Sequence, residues 1–303
     1  MKPTLISVVG PTAVGKTKLA LELARHFKTE IISADSRQCY REMSIGTAKP
    51  TRAELQEVKH HFINSHSIHD YFSAGEFERQ ALTRLKELFR SLEIVVMVGG
   101  SGLYVDALTK GLAEIPKIAL EIRKRLMERF ESDGLSSLYN ELKRVDPKYA
   151  KVVDRYNQRR IIRALEVYYG TEKAYSSWRN PGNVIRPFTI LSIGLEQHRE
   201  VLYQRIDERM DMMIAAGLFD EAASLHRYRR LNPLQTVGYK EIFEHIEGNY
   251  DYEECVRVLK RNSRRYAKRQ LTWFKKNDQT EWFDAADSRK VLNRIELMLR
   301  SNF

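Results

Sequence analysis

Apolar runs alternate with amphipathic segments over the first hundred residues of the chain. Leu5–Val9 is a short β-branched run that predicts a buried strand, and Thr17–Phe27 follows it with leucines at helical spacing. Glu30–Ala34 and Ile94–Val98 predict two further buried strands, and a helix over Glu76–Leu92 lies between them. Strands that alternate with helices in this way predict an α/β fold, with a parallel sheet covered by helices on both faces.

The pattern changes at about residue 116. Residues 116–182 are charged and rich in helical patterns, and they contain no buried-strand run. Phe188–Leu195 is a later apolar run that fits the same sheet, and the chain after it has helical patterns again. We therefore predict a core domain made of residues 1–115 and 183–303, with a helical insertion domain over residues 116–182.

The turn after the first predicted strand carries a complete G-x-x-x-x-G-K-T motif, formed by Gly10, Pro11, Thr12, Ala13, Val14, Gly15, Lys16 and Thr17. Backbone N–H groups of such a turn point inward at an anion, and the N-terminus of the next helix adds partial positive charge. In this motif Lys16 reaches the outer phosphate and the Thr17 hydroxyl contacts Mg²⁺. A chance glycine-rich turn is the alternative, but the strand before it and the helix after it favour a P-loop that binds a polyphosphate.

Composition narrows the class of partner. The net charge of +11 and the sequence pI near 9.5 favour a nucleic-acid partner. A small-metabolite kinase does not need this excess of positive charge. No stretch approaches the ~20 apolar residues of a membrane span, and we see no signal peptide, so we expect no membrane contact. Cys39 and Cys255 lack metal-ligand spacing, which favours a reducing, cytoplasmic environment.

One acidic residue stands close to the predicted phosphate site. The strand over Ile94–Val98 ends in Gly99-Gly100-Ser101-Gly102 and lacks the acid that holds magnesium in Walker-type ATPases. Asp35 instead follows the second strand, whose carboxyl end we expect beside the phosphate loop. A carboxylate there can take a proton from a nucleophile; it can equally cap the next turn. The sequence position leaves both interpretations open. The glycine turn itself can admit a ligand closely or be a tight turn without one.

Basic residues gather in three groups, which we call the basic stripes: Arg155, Arg159, Arg160 and Arg163; Arg205 and Arg209; and Lys260, Arg261, Arg264, Arg265, Lys268, Arg269, Lys275 and Lys276. Aromatic residues interrupt the third group, and arginine with aromatics suits phosphate contacts and stacking on unpaired bases. A solvated helix face is the alternative for any one stripe. Three stripes together favour a long polyanion.

Histidines form a fourth cluster. His60, His61, His66 and His69 invite a metal interpretation, but no cysteine or acidic set completes a tetrahedral site. We interpret them as ordinary surface or turn histidines.

Several blocks, in chain order, resemble the tRNA dimethylallyltransferases, also called tRNA isopentenyltransferases. These blocks are Gly10–Thr17, Asp35–Tyr40, Ile45–Pro50, His60–Ile63, Val98–Tyr104, Arg159–Glu166, Leu234–Glu241 and Ala267–Phe274. Ser101 departs from the family's usual Thr and keeps the hydroxyl, and Asn64 stands where an Asp is common. The resemblance implies a P-loop NTPase-like fold and transfer of a dimethylallyl group from dimethylallyl diphosphate to N6 of adenosine 37 in the anticodon loop.

The resemblance also implies residue roles. Asp35 is expected to be the base, while Lys16, Arg209 and Thr17 with Mg²⁺ are expected to stabilise the leaving diphosphate. The tRNA anticodon stem-loop is expected to contact Asp35, Ser36, Arg37, Gln38, Ser101, Arg123, Gln158, Arg159, Arg160, Ile161 and Ile162. The acceptor adenine has to leave its stack before it can react. We expect a monomer.

Two other functions compete with this hypothesis. A P-loop small-molecule kinase that uses ATP explains the core, but it explains neither the late arginine blocks nor the missing strand-end acid. A non-catalytic RNA-binding protein with a relic phosphate loop explains the charge and predicts no turnover.

Overall fold

The protein is described here by a computed structural model that covers residues 2–178 and 184–301. The chain forms two compact units, one made of Met1–Thr109 and Arg186–Phe303 and the other of Lys110–Ile185. The predicted insertion, residues 116–182, falls within the second range. Its predicted boundary at residues 182–183 lies outside the described residues.

The first unit contains a six-stranded sheet. The strands are β1 (Thr4–Val9), β2 (Ile31–Ser33), β3 (His60–His61), β4 (Ile94–Gly99), β5 (Thr189–Glu196) and β6 (Thr280–Asp284). Their order is β3-β2-β4-β1-β5-β6, and every neighbouring pair is parallel. All six residues of β1 are buried, because a central parallel strand is covered on both faces. The predicted parallel sheet with flanking helices is confirmed.

The helices are, in chain order, α1 (Lys16–His26), α2 (Arg52–Glu57), α3 (Ala74–Leu88), α4 (Gly102–Lys110), α5 (Leu120–Val145), α6 (Pro147–Ala150), α7 (Gln158–Thr171), α8 (Tyr175–Trp178), α9 (Arg199–Ala215), α10 (Leu218–Leu225), α11 (Tyr239–Ile246), α12 (Tyr252–Phe274) and α13 (Ser288–Ser301). Short 3₁₀ turns occupy His226–Tyr228 and Asn232–Leu234. Among the described residues, none of these helices combines the length and the apolarity that crossing a bilayer requires.

The core of the first unit forms where helices cover β1 and its neighbours. Leu19, Leu23 and Ala24 of α1 pack in one buried cluster with Ile6 of β1 and Ile193 of β5. The leucine and alanine positions recur at helical spacing, so one stripe of α1 faces the sheet. This packing fixes the N-terminus of α1 at the carboxyl end of β1, where the phosphate motif lies.

The second unit has its own apolar core. Its longest helix, α5, is kinked at Gly134, whose φ of 77° is outside the helical range. Leu138 and Leu142 of α5 and Ile161 and Leu165 of α7 are fully buried in the same cluster. The helical character predicted for this part of the chain is therefore correct, and it comes from two helices that bury one face each.

Two strands were not predicted. β3 has only two residues, both histidines, and β6, with the sequence Thr-Glu-Trp-Phe-Asp, lies at the opposite edge of the sheet and has no continuous apolar run. Edge strands need less apolar sequence than central strands, because one side of their backbone has no neighbouring strand to pack beside. The helical stretches predicted after Leu195 end before Thr280, so β6 lies where no element was predicted. His60 and His61 lie in an edge strand and not in a turn, and both are half-buried.

Candidate active site

The phosphate motif forms the turn between β1 and α1. Three of its residues have left-handed backbones, with φ of 149° at Gly10, 62° at Ala13 and 109° at Gly15. A Cβ on Gly10 would lie 2.6 Å from the Leu195 carbonyl oxygen, so only glycine lets the loop lie against β5. The N-cap of α1 is Gly15, which has no side chain to accept from the first amides. Those amides are available to an anion.

Lys16 is held inside this loop. Its Nζ donates a hydrogen bond to the Pro11 carbonyl at 2.6 Å. Burial, followed by the positive charge of Arg209, lowers the pKa of Lys16 to about 7, and Asp35 opposes that shift. An anion bound at the loop removes this electrostatic penalty, because it favours the charged ammonium. The structure thus brings Lys16, Arg209 and Asp35 into one electrostatic cluster.

Asp35 lies just beyond β2. Its Oδ1 accepts hydrogen bonds from the backbone N–H groups of Arg37, at 2.8 Å, and Gln38, at 3.2 Å. Its Oδ2 accepts no hydrogen bond from any residue that the structure describes. Asp35 therefore does cap the turn, as one interpretation expected, and it keeps one oxygen for a further partner.

The carboxyl end of β2, which carries Asp35, was expected beside the phosphate loop. In the sheet, β4 lies between β2 and β1. The Asp35 carboxylate nevertheless lies close enough to act on both Lys16 and Arg209, where its negative charge opposes the lowering of each pKa by burial. Because these two cations are far from Asp35 in sequence, the sheet order is what brings the three charges together.

The glycine turn after β4 joins the loop that carries Asp35. The Ser36 backbone N–H donates to Ser101 Oγ at 2.9 Å, and Ser101 Oγ donates to Ser36 Oγ at 3.1 Å. A Cβ on Gly99 would lie 2.3 Å from the Ala34 carbonyl oxygen. The glycine therefore permits close contact between two loops, and the Ser101 hydroxyl links them.

Arg37 has an unsatisfied donor in this loop. Its Nη1 donates to the Ser36 carbonyl at 3.1 Å. Its Nε is buried and has no hydrogen-bond partner within the described part of the chain. A buried N–H without an acceptor costs free energy until a partner arrives, so Arg37 is ready to bind an acceptor atom of a ligand.

Gln38 and Arg209 meet at one backbone carbonyl. Gln38 Nε2 donates to the carbonyls of Thr47 and Ala48, both at 3.2 Å. Arg209 Nη2 donates to the same Ala48 carbonyl at 3.3 Å. Burial lowers the pKa of Arg209, while Arg205, one turn earlier on α9, is exposed. The two arginines of this stripe are therefore in different environments.

Two residues of α12 belong to the site. The sequence predicted no role for Gln270, and it predicted Tyr266 only as one of the aromatic residues that interrupt the third basic stripe. Gln270 is buried; its Oε1 accepts from the Thr12 N–H and its Nε2 donates to the Gly100 carbonyl, each at 2.8 Å. Tyr266 lies one turn earlier, and burial followed by the charge of Asp35 raises its pKa to about 12. Gln270 lies within the block Ala267–Phe274, and its four-residue spacing from Tyr266 was the available signal.

The expected tRNA contacts of the second unit cluster around the start of α7. Asn157 caps the helix by accepting from the Arg160 N–H at 3.1 Å. Arg159 and Arg160 are exposed and Gln158 is half-buried. Arg123 of α5 donates to the buried Glu166 at 3.0 Å, so its guanidinium is already partly neutralised inside this unit.

Ile161 and Ile162 correct the expected list of tRNA contacts. Their side chains have 0% and 1% exposure, within the apolar core of the second unit. α7 buries its apolar face, and these two residues lie on that face. Their side chains are not available to RNA, so the prediction that they contact tRNA was wrong for the side chains.

The structure divides the third basic stripe into paired and unpaired cations. Lys260 pairs with Asp211, Arg264 with Asp207 and Lys275 with Glu196. Arg265 and Lys268 are exposed, and neither forms an ion pair with another described residue. Arg265 and Lys268 are therefore better suited than the three paired cations to contact a polyanion outside the protein.

The histidine pair does not form a metal centre. His61 Nε2 lies 2.6 Å from Glu30 Oε2, and burial lowers the pKa of both His60 and His61. They line an open groove of about 440 Å³ beside α3. In the part of the chain that the structure describes, no group of three or more His, Cys, Asp or Glu side chains is arranged to hold a metal ion.

Residues 38–277 match the sequence profile of the IPP transferase family. The tRNA dimethylallyltransferase of Cytophaga hutchinsonii is 49% identical over 296 residues, which cover 98% of this chain and 97% of that protein. The tRNA dimethylallyltransferase of Christiangramia forsetii is 48% identical over 297 residues, 98% of each chain.

Solved structures agree with the sequence relatives. The tRNA isopentenylpyrophosphate transferase of Bacillus halodurans superposes with a TM-score of 0.72 at 38% identity, covering 99% of this chain and 98% of that one. A eukaryotic dimethylallyltransferase described as acting on tRNA superposes with a TM-score of 0.76 at 27% identity, covering 94% of this chain and 74% of its own.

Proposed function

The chain belongs to the IPP transferase family, the tRNA dimethylallyltransferases, and from that premise we propose that the loops around Lys16, Asp35 and Arg209 form its catalytic centre. The protein is a prenyltransferase that transfers a dimethylallyl group to tRNA. The observation that carries the assignment of the centre is the cluster of two half-buried cations and one carboxylate at the phosphate loop.

The donor is dimethylallyl diphosphate. The amides of Gly10–Thr17 and the side chains of Lys16 and Arg209 bind its diphosphate. The bond between the allylic carbon and the bridging oxygen breaks, and the diphosphate leaves with that electron pair. These cations stabilise the negative charge as it develops, which is usually the largest contribution to catalysis.

The acceptor is N6 of adenosine 37. Its nitrogen forms the new bond to the allylic carbon, and its proton passes to Asp35. Asp35 can accept that proton because Oδ1 is held by the amides of Arg37 and Gln38, while Oδ2 takes no hydrogen bond from a described residue. A fixed base with one unoccupied oxygen is suited to general-base catalysis.

The residues fit Mg²⁺ that arrives with the diphosphate. The Thr17 hydroxyl, which has no hydrogen-bond partner among residues 2–178 and 184–301, is the side-chain ligand that we propose. Magnesium commonly combines one or two protein oxygens with water and substrate phosphates, which agrees with the lack of a carboxylate cluster in the described residues. When bound, the ion supplies charge that neutralises the leaving diphosphate.

The tRNA anticodon stem-loop delivers an unstacked adenine to this centre. The extruded nucleotide contacts Ser36, Arg37, Gln38 and Ser101. Among these, Arg37 has a buried Nε without an acceptor in the described residues, and the nucleotide supplies that acceptor. Arg123, Gln158, Arg159 and Arg160 of the second unit contact the RNA. Contacts to phosphate fix the register of the nucleic acid, and contacts to the base select it.

Two further proposals concern the setting of the enzyme. We place it in the cytoplasm, where its two cysteines stay reduced: Cys39 and Cys255 are buried and free. Burial raises the pKa of Cys39 to about 12 and that of Cys255 to about 11, so both thiols are inert. We also propose that the enzyme acts as a monomer.

A labelling experiment tests the function. The purified protein is incubated with unmodified tRNA and either allyl-labelled dimethylallyl diphosphate or γ-labelled ATP. We expect label from the allyl donor in the tRNA at adenosine 37, and none from ATP. Label transferred only from ATP would establish a kinase. Tight tRNA binding without transfer from either donor would establish a non-catalytic RNA-binding protein.

A further inference from the structure

One loop supports residues on both sides of the proposed centre. Ser44–Ala48, here called the support loop, offers the carbonyls of Thr47 and Ala48 to Gln38 and the carbonyl of Ala48 also to Arg209. Gln38 belongs to the acceptor side and Arg209 to the donor side. A shift of this loop therefore moves the hydrogen-bond partner of both residues at once.

A single carboxylate on α10 holds the support loop. Glu221 Oε2 accepts from the backbone N–H groups of Ser44, at 2.9 Å, and Ile45, at 2.8 Å. Its Oε1 accepts from the Gly46 N–H at 2.9 Å and from the Tyr239 hydroxyl at 2.6 Å. Three successive amides thus converge on one anion, an arrangement of backbone dipoles that favours a negative group.

The residues around Glu221 fit it to hold the support loop in place. A Cβ on Gly46 would lie 2.6 Å from the ring of Tyr239, so glycine is needed for the Tyr239 hydroxyl to reach the carboxylate. Within the described residues no Lys or Arg forms an ion pair with Glu221, and four hydrogen bonds satisfy it instead. Hydrogen bonds that involve a charged group are about twice as strong as neutral ones.

We propose that Glu221 is a positioning residue for the transfer reaction, which it serves by fixing the support loop under Gln38 and Arg209. This inference rests on the proposed function of the site. Glu221 itself touches neither substrate. Its charge and its two acceptor oxygens keep the Ala48 carbonyl where Arg209 can point its other donors at the diphosphate.

The variant Glu221→Gln tests this role. The amide keeps the size of the side chain but replaces one acceptor oxygen by an N–H₂ donor, so at least one loop amide loses its partner. We expect kcat to fall about tenfold or more, and KM for the allyl donor to rise, because the loop amide that loses its acceptor no longer fixes the support loop. The dissociation constant for tRNA should change less than threefold, since phosphate contacts elsewhere dominate it.

Asp220→Asn is the matched control. It removes the same charge from the adjacent position of α10, at a side chain that is exposed. We expect wild-type kcat and KM for this variant. Wild-type kinetics in Glu221→Gln as well would overturn the proposal.

A double-mutant cycle separates positioning from general packing. If Glu221 acts through Arg209, the effect of Glu221→Gln on kcat should be at least threefold smaller in an Arg209→Gln background than in wild type. Factors that multiply independently would overturn the inference, because a merely structural loss adds to the loss of Arg209. If Glu221→Gln does not fold, Glu221→Asp replaces it in the same cycle, with the same outcomes. A wild-type enzyme that transfers no allyl group contradicts the proposed function instead, so the two failures are distinguishable.

Discussion

Single side chains at this centre combine structural and chemical roles, and Asp35 shows how the two can coexist. The turn needs one carboxylate oxygen as a cap, whereas general-base catalysis needs the other. The two interpretations that the sequence left open are therefore compatible, since a carboxylate has two oxygens with separate lone pairs. The prediction that Asp35 is the base stays a prediction until turnover is measured.

Asp35→Asn tests the base while keeping the cap. Asn retains Oδ1 as the acceptor for the Arg37 and Gln38 amides, so the turn should persist, but its amide cannot take a proton at neutral pH. We expect turnover to fall ~10²-fold or more, with tRNA affinity within a few-fold of wild type. Single-turnover transfer and filter binding measure the two quantities. An unchanged rate would remove Asp35 as the base.

The lowered pKa of Lys16 predicts that binding of the donor depends on pH. Burial and Arg209 lower its pKa to about 7, so in the free enzyme the amine loses its proton as the pH rises above 7. Diphosphate favours the protonated form, and binding then requires proton uptake. We expect donor affinity to weaken above pH 7, by up to about tenfold per pH unit.

Lys16→Arg is the control for that measurement. A guanidinium stays protonated over this pH range, so calorimetry between pH 6 and 9 should show a flatter affinity curve and less proton uptake than wild type. The ionisation of the donor is common to both proteins and cancels in the comparison. Equal slopes in the two proteins would mean that Lys16 does not titrate in this range.

At the scale of secondary-structure elements, α12 connects the two halves of the centre. Gln270 bridges the Thr12 amide of the phosphate loop and the Gly100 carbonyl of the glycine turn. Tyr266 extends the same face of the helix toward Asp35 and Ser101. A helix that contacts both loops sets their separation.

Gln270→Ala should loosen that connection. The change leaves one buried N–H and one buried carbonyl without a partner, which typically costs ~1–3 kcal/mol each. We expect kcat to fall about tenfold and KM to rise for both substrates, measured by steady-state transfer kinetics. Thr272→Ala, an exposed change on the same helix, should behave as wild type; an effect limited to one substrate would contradict the bridging role.

The elements that the sequence predicted are those whose burial dictates composition. β1 and β4 are flanked by strands and covered by helices, so their residues have to be apolar, and the runs at Leu5–Val9 and Ile94–Val98 indicate this directly. The predicted helix ends differ from the observed ones where a capping residue sets the end. The Ser73 side chain accepts a hydrogen bond from the Glu76 N–H, so α3 starts at Ala74 and not at Glu76 as predicted. β3 escaped prediction because two half-buried residues carry no periodicity.

The residues of the site were predictable where a local sequence pattern marks them, and not where long-range contacts define them. The phosphate motif and Asp35 carry local sequence signals, because a turn type and a strand end fix them. Glu221 and Tyr239 act through contacts with residues far away in sequence, and no local pattern reports such contacts. For Gln270 the only local signal was its helical spacing from Tyr266. Ile161 shows the converse: it lies within a recognised block, yet the helix periodicity that buries it decides its role.

On the scale of the whole molecule, the net charge of +11 predicts strong salt dependence. Each phosphate that the protein neutralises contributes roughly 0.7–0.9 to the slope of log affinity against log salt. Arg265→Gln with Lys268→Gln removes two exposed cations without carboxylate partners in the described residues. We expect weaker tRNA binding and a slope smaller by about one to two in magnitude.

Lys260→Gln with Arg264→Gln is the matched comparison for this salt titration. It removes two cations that already pair with Asp211 and Asp207. We expect the salt slope of this variant to stay within about half a unit of wild type. If the paired and the unpaired cations prove equally important, the assignment of the RNA-facing surface is wrong.

The position of β5 has a consequence for how the protein is made. β5 pairs with β1 from Thr4↔Thr189 to Val9↔Gly194, and the Leu195 carbonyl lies against Gly10. A ribosome therefore synthesises the central strand early, yet the strand that completes its second edge emerges only after the intervening unit has been translated. Once β4 has paired with β1, the nascent chain still has an apolar strand with one open edge until β5 emerges, and an open edge is a site at which another chain can pair.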